Sequence, residues 1–341
     1  MRADEEIRGR KAADWLFPDP ALLRKVERMT VAAKSRVRGK MQGKRRSRTL
    51  GSSLEFADYR PYAPGDDIRR LDWNVYGRTG RAYVRQFWDE QEITVTMYVD
   101  VSRSMRLAAG GGASAGFGGV GADEAEAPLA PESSKLAYAL RLAACVGYAG
   151  LAGEDRVGAT GFAEGIASKF ASLRGRGSAG RLFAFLAELA RFDPSGGGYS
   201  HPAAGGLDMS KALSLPEALP RRSGQTWLFT DGLYETGIEE TLQALLAAGQ
   251  DVVFVQLLGP EELRPELAGE LKLIDSETGS GKEVAIAGGV LRAYRAAVDE
   301  HCAGIRRMCA KRGFAYVFAD TSRPVEETVV RSLLGQGLLK G

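Results

Sequence analysis

The apolar run Ile93-Thr-Val-Thr-Met-Tyr-Val stops at a carboxylate, Asp100, and is followed by Val101-Ser-Arg-Ser-Met105. Short β-branched runs of this kind predict buried strands. Similar runs recur at Arg156 to Phe162, Gln225 to Thr230, Asp251 to Leu258 and Phe314 to Ala319. Between them the apolar positions return with helical spacing. Lys135 to Ala152 carries Leu136, Leu140, Ala143 and Val146 on one face, behind a Ser133-Ser134 cap. Ala179 to Arg191, Ile238 to Ala248 and Val290 to Arg312 read the same way, and Gly313 ends the last of them. Asp208 caps a further helix to Leu219, Ser322 with Pro324 at N1 opens a final one, and Leu271 to Ile286 reads as a hairpin turning at Glu277 to Gly281. Strands alternating with helices predict an α/β fold with a doubly wound, mostly parallel sheet and helices on both faces.

The chain before Ile93 has a different pattern. Pro20 to Val37 has helical spacing, with Leu22, Leu23, Val26, Met29 and Val37 as its apolar positions. From Arg24 to Arg48 there are eleven Lys or Arg and one acid, Glu27, a charge of +10 in a chain whose total is +3. A basic arm of this density attracts nucleic acid, anionic surfaces or an acidic protein. No aromatic residue interleaves the charges as a base-stacking platform would require, so a protein partner is expected rather than nucleic acid. Next comes a stretch dense in Tyr, Arg, Asp and Trp, from Leu54 to Asn74. Asp66 or Asp67 is placed to cap a short helix through Tyr76, Gly77 to Gly80 closes it, and Ala82 to Trp88 reads as a strand. Residues 1–50 are thus expected to form a basic helix and arm, 51–90 a small α+β subdomain packed on the main domain, and 91–341 the main domain. Within the last, the Gly/Ala-rich stretch 107–132 is expected to be a flexible insertion, since it offers little surface to bury.

Composition narrows the chemistry. No run of 18 apolar residues is present and the charged start lacks an apolar h-region, so neither a membrane span nor a signal peptide is expected. Cys145, Cys302 and Cys309 lack metal-type spacing and read as reduced thiols of a cytoplasmic protein. His201 and His301 are the only histidines, which leaves little for a zinc site or a His-dependent triad. No Gly-x-x-x-x-Gly-Lys-Ser/Thr loop occurs, so nucleotide hydrolysis is not expected. Asp100, Ser102 and Ser104 at one strand end, with Thr230-Asp231-Gly232 at another, form a set of hard oxygen donors suited to a divalent cation.

The Asp100-x-Ser102-x-Ser104 motif, the later Asp231 and the alternating elements resemble the von Willebrand factor A-type domain and its metal-ion-dependent adhesion site. The segment Glu55 to Asn74 resembles, with higher specificity, the signature of the family called domain of unknown function 58, and the resemblance spans roughly Val26 to Leu334. It implies a von Willebrand factor A-like fold with the small N-terminal α+β subdomain. It also implies a non-enzymatic adaptor acting with a MoxR-type AAA+ ATPase on a client protein. Asp100, Ser102, Ser104 and Asp231 match the metal ligands of that domain class, for Mg²⁺ or Mn²⁺. The threonine that completes the set is replaced here by Leu207, which has no oxygen to offer, so the metal site is degenerate. Arg60, Asp66, Asp67, Arg69, Arg70 and Trp73 are the candidate partner-binding residues. A metal-assisted phosphohydrolase built on Asp100 and Asp231, and a nucleic-acid binder using the basic arm, are the alternatives.

Overall fold

The computed structural model describes residues 2–32, 47–50, 56–89, 93–107, 130–194, 207–265, 269–274, 281–286 and 288–341. Most of the basic arm and of the Gly/Ala-rich insertion, together with His201 and its loop, lie outside them. The chain divides into two compact units, one of Met1–Lys34 with Ile93–Gly341, the other of Ser35–Glu92.

The large unit is built on six strands: β1 (Thr94–Asp100), β2 (Arg156–Phe162), β3 (Ile166–Arg174), β4 (Gly224–Thr230), β5 (Gln250–Leu258) and β6 (Ala315–Asp320). Their order across the sheet is β6-β5-β4-β1-β2-β3. Every neighbouring pair is parallel except β2 with β3, which is antiparallel. From β1 the chain winds one way through β2 and β3, then crosses to the other side of β1 for β4. The direction of winding therefore reverses between β1 and β4, and in open α/β sheets ligands bind in the crevice outside such a reversal.

Side-chain alternation along the strands explains the layering. Val95, Met97 and Val99 of β1 join Trp227 and Phe229 of β4 and Val253 and Val255 of β5 in one buried cluster. Tyr98, Leu228, Val252 and Phe254, the intervening positions, join a second cluster. The first is covered by α1 (Arg2–Leu16), α2 (Pro20–Val26), α3 (Lys135–Ala152) and α4 (Ala179–Arg191), the second by α5 (Ile238–Ala247) and α6 (Gly288–Lys311). Helices thus lie on both faces of a mostly parallel sheet. α3 is the central piece: Leu136, Leu140, Leu142 and Val146 have no exposed surface. Truncating one such leucine to alanine typically costs about 2–5 kcal/mol.

Several elements differ from the sequence expectation. Pro20 to Val37 is not one helix: α2 ends at Val26, and Thr30–Val31 pairs antiparallel with Leu339–Lys340 at the other end of the chain. Asp208 caps only Met209–Leu213, not a helix to Leu219. α1 was not expected. It meets α4 through small residues, where a Cβ on Gly9 would come within 3.0 Å of the backbone of Gly180. Phe17 then packs edge-on to Phe183 at 5.4 Å. The first 34 residues accordingly belong with the large unit rather than forming an arm of their own.

In the small unit, Tyr83–Asp89 is the middle strand of three, between Ser47–Leu50 and Phe56–Pro61, all antiparallel. The single helix expected from Asp66 or Asp67 through Tyr76 is two pieces. Asp67 accepts from the Arg69 amide and caps the turn Ile68–Arg70, while Asp72 caps the helix Trp73–Thr79. Gly80, with φ +68°, ends that helix in the left-handed region that glycine tolerates.

Candidate functional site

A cluster of polar residues lies at the carboxyl ends of β1, β4 and β5. Asp100, the last residue of β1, is fully buried. Its Oδ1 accepts from the Ser102 amide at 2.9 Å, and its Oδ2 accepts from the Thr230 hydroxyl at 2.6 Å. Thr230 Oγ1 in turn accepts from the Gly232 amide at 3.0 Å. The Ser102 and Ser104 hydroxyls lie 3.1 Å apart. Burial, and then the charge of Asp231, push the Asp100 carboxyl up to about 7, against the hydrogen bonds from Thr230 and Ser102.

Asp231 begins the turn after β4. Its Oδ1 accepts from the Leu233 amide at 3.0 Å, and its main-chain carbonyl accepts from Gln256 Nε2 at 3.0 Å. The Gly232 carbonyl lies 2.9 Å from His301 Nε2 of α6. Gly232 has φ +72°, and a Cβ there would also run into Ile305, so the turn that aims Asp231 inward requires glycine.

Two residues that sequence reasoning missed complete the arrangement. Lys135, the first residue of α3, is only 4% exposed. Its ammonium donates to Asp231 Oδ2 at 2.8 Å and also to Glu262 Oε1. Glu262 comes from the short turn Pro260–Leu263 after β5, and its other oxygen accepts from the Gly259 amide at 2.8 Å. Burial alone would lower the Lys135 pKa, but the two carboxylates outweigh it and hold the amine as an ammonium. A signal was present in the sequence. Lys135 stands in the first turn of a largely apolar helix, where the macrodipole disfavours a cation, so it calls for an anionic partner.

The donor set can be tested against the divalent cation that the resemblance implies. Asp231 already holds a cation, the ammonium of Lys135. A divalent ion about 4 Å from that ammonium would meet repulsion on the order of 8 kcal/mol at an effective dielectric of about 20. Leu207 does not help. Its side chain belongs to the apolar cluster beneath α5, and its carbonyl accepts from the Glu235 amide at 3.1 Å. Ser210, the nearest hydroxyl in sequence, donates to Asp208 Oδ1 at 2.7 Å. As arranged, the residues fit an ammonium and do not fit a divalent ion.

The candidate partner-binding residues lie in the small unit, around Asp72. Its Oδ1 accepts from the Asn74 and Val75 amides at 2.9 and 3.1 Å; its Oδ2 accepts from Tyr59 Oη at 2.9 Å and Arg85 Nε at 2.8 Å. These donors hold the Asp72 carboxyl down to about 2, the Val75 amide foremost. Arg60 pairs with Asp66 at 2.6 Å, and Asp66 also accepts from the Ala63 amide at 2.8 Å. Asp67 is spent on its cap. Arg69 is exposed, and the Arg70 side chain lies outside the described residues. Trp73 is 64% exposed and packs edge-on against Tyr76 at 6.1 Å. Most of the polar signature thus braces the subdomain, and Trp73 is what the brace displays.

Among known proteins, uncharacterized proteins of Mycobacterium bovis and Mycobacterium tuberculosis are 27% identical over 315 residues, which cover 92% of this chain and 89% of each relative. Two solved structures are more distant. The conserved hypothetical protein BatB from Bacteroides thetaiotaomicron is 18% identical, with a TM-score of 0.35, covering 71% of this chain and 98% of that one. An aerotolerance-related membrane protein from Bacteroides fragilis NCTC 9343 is 15% identical, with a TM-score of 0.36, covering 72% and 100%. Among the described residues no helix is long and apolar enough to cross a membrane. The model of the family described as "Protein of unknown function DUF58" matches residues 58–112 and 128–304, most of the chain, and the protein belongs to that family.

Proposed function

We propose that this protein is a non-enzymatic adaptor that docks a MoxR-type AAA+ ATPase and presents a client protein to it. The observation that carries this reading is the display of large apolar side chains on a braced frame. Trp73, Ile68 and Tyr76 are 64%, 60% and 46% exposed, all within nine residues of one another. Asp72, between Ile68 and Trp73, is tied by four hydrogen bonds. Clustered exposed aromatics on a rigid support are the composition of a binding hot spot. The large unit then has the role of a von Willebrand factor A-like module whose strand-end crevice receives the client. Support for a binding role over a catalytic one lies in how the crevice residues are used. The carboxylates of Asp100 and Asp231 hold neighbouring donors, and His301 faces a main-chain carbonyl rather than a serine hydroxyl. Cytoplasmic residence belongs to this reading, in keeping with three free cysteines.

The test is the affinity of the purified full chain for the MoxR-type ATPase of the same organism, by calorimetry. Trp73→Ala should weaken binding by about 30-fold or more, the size expected of a hot-spot aromatic. Unchanged affinity, or no complex with the ATPase at all, would refute the reading.

A further inference from the structure

We infer that Lys135 is the resident cation of the strand-end crevice: its tethered ammonium takes up Asp231, one of the four residues that match the metal ligands of the adhesion sites, and this site works without metal. The inference concerns which cation the crevice holds, and does not depend on the docking role proposed for Trp73.

Three observations converge on it. The ammonium is nearly inaccessible, and its acceptors are two carboxylates from different strand ends, Asp231 after β4 and Glu262 after β5. A lysine that merely covered apolar surface would send its charged end to water; this one sends it inward. Second, the chain places that charge at the amino end of an 18-residue helix, against the helix dipole. The two acids offset a placement that would otherwise be unfavourable, which marks the cation as part of the design of the site. Third, each carboxylate oxygen that would face an ion already accepts a hydrogen bond from the protein. Both oxygens of Asp100 accept from Thr230 and Ser102, and Asp231 divides its two between Lys135 and the Leu233 amide. The substitution of leucine at position 207 fits the same picture, since a site with a built-in monovalent cation has no use for a further oxygen ligand.

The chemistry follows from the difference between the two cations. A divalent ion in an open site exchanges ligands and can be completed by an incoming carboxylate. An ammonium tied to its own backbone cannot be lost to a chelator, and its affinity for Asp231 and Glu262 is intramolecular. Binding at this edge is therefore expected to be indifferent to Mg²⁺, Mn²⁺ and EDTA.

The experiment uses the full chain and Mn²⁺ itself as probe, read by electron paramagnetic resonance of free Mn²⁺ and by the thermal transition. The parent should take up no Mn²⁺ at concentrations up to about 1 mM, the weak end of protein divalent-ion sites, and its transition should not move with Mn²⁺ or EDTA. Lys135→Ala empties the cation position and leaves the acids, so it should gain one Mn²⁺ site at least about tenfold tighter than any parent binding. Adding Asp231→Asn to that variant should remove the gain. If Lys135→Ala folds only with Mn²⁺ present, the recovered transition is the same expected result. If it folds in neither condition, the parent decides: an unmoved transition upholds the inference. One-site Mn²⁺ binding by the parent that Asp231→Asn abolishes would overturn it. So would a folded Lys135→Ala variant that gains no Mn²⁺.

Discussion

Two aspartates organise this molecule, and their environments drive them in opposite directions. Asp100 sits inside the sheet edge with no exposed surface, and burial and the neighbouring Asp231 push its carboxyl up to about 7. Asp72 sits in the small unit under four donors that hold it down to about 2. Both accept one bond from a hydroxyl and at least one from a backbone amide. What differs is the neighbourhood. A like charge and a low-dielectric interior oppose ionisation of Asp100, whereas an arginine and three further donors favour it at Asp72. At the first constellation the neighbouring Asp231 is the residue that holds a cation, the Lys135 ammonium. The second is satisfied by its own frame and leaves its aromatic neighbours free to face solvent.

The largest effect should come from removing the cation. Lys135→Ala leaves the buried Asp231 and the half-buried Glu262 without their partner, and breaking a buried pair on one side costs about 3–5 kcal/mol. Urea denaturation in metal-free buffer should register that loss, and adding Asp231→Asn and Glu262→Gln should restore most of it. A single-variant loss below about 1 kcal/mol, the value of a surface pair, would show that Lys135 is not part of a buried network.

Leu207→Thr should cost less, about 1–2 kcal/mol, within the ordinary range for placing a polar group in an apolar cluster. It should also bring no Mn²⁺ affinity while Lys135 is present. A gain of metal binding on this change alone would mean that the missing oxygen, not the ammonium, keeps metal out.

At Asp72 the comparison can be sharpened by pH. Its folded pKa lies below the unfolded value of about 3.9, so its stabilising contribution is present above pH 4. That contribution is lost as pH falls from about 4 through about 2. In hydrogen exchange the Asn74 and Val75 amides, both donors to Asp72, should lose protection relative to their intrinsic rates across that window. In Asp72→Ala they should already be fast at neutral pH. Amides protected equally in parent and variant would remove Asp72 from its central place in the small unit.

The smallest expected effect is on the stability of Trp73→Ala, within about 0.5 kcal/mol, since exposed positions away from structural features change little. A larger loss would indicate that Trp73 supports the small unit instead of being displayed by it.

Local signals carried most of what was legible before the structure. The β-branched runs located β1, β2, β4 and β5, and the Ser134 cap located α3. Asp100 and Asp231 were found because strand ends in an α/β sheet are where polar residues converge. What was not legible depended on distance or on weak patterning. Glu262 lies 127 residues from Lys135, and only the winding of the sheet joins them. β3 was missed because it is a half-exposed edge strand with no buried position, so its apolar residues do not form a continuous run. α1 was missed because its contact with α4 runs through Gly9, whose value is a close approach rather than a hydrophobic stripe. The helix expected to Val37 stopped at Val26 because the following residues pair with the end of the chain, a partner no local window contains.

The most direct test of the account is a crystal structure of the parent protein soaked in Mn²⁺, with anomalous scattering recorded at the manganese edge. The account predicts no anomalous peak between β1 and β4, and the Lys135 ammonium within about 3 Å of Asp231, hydrogen-bond distance. A manganese peak bonded to Asp100, Ser102 and Ser104, with the lysine turned away from Asp231, would contradict it.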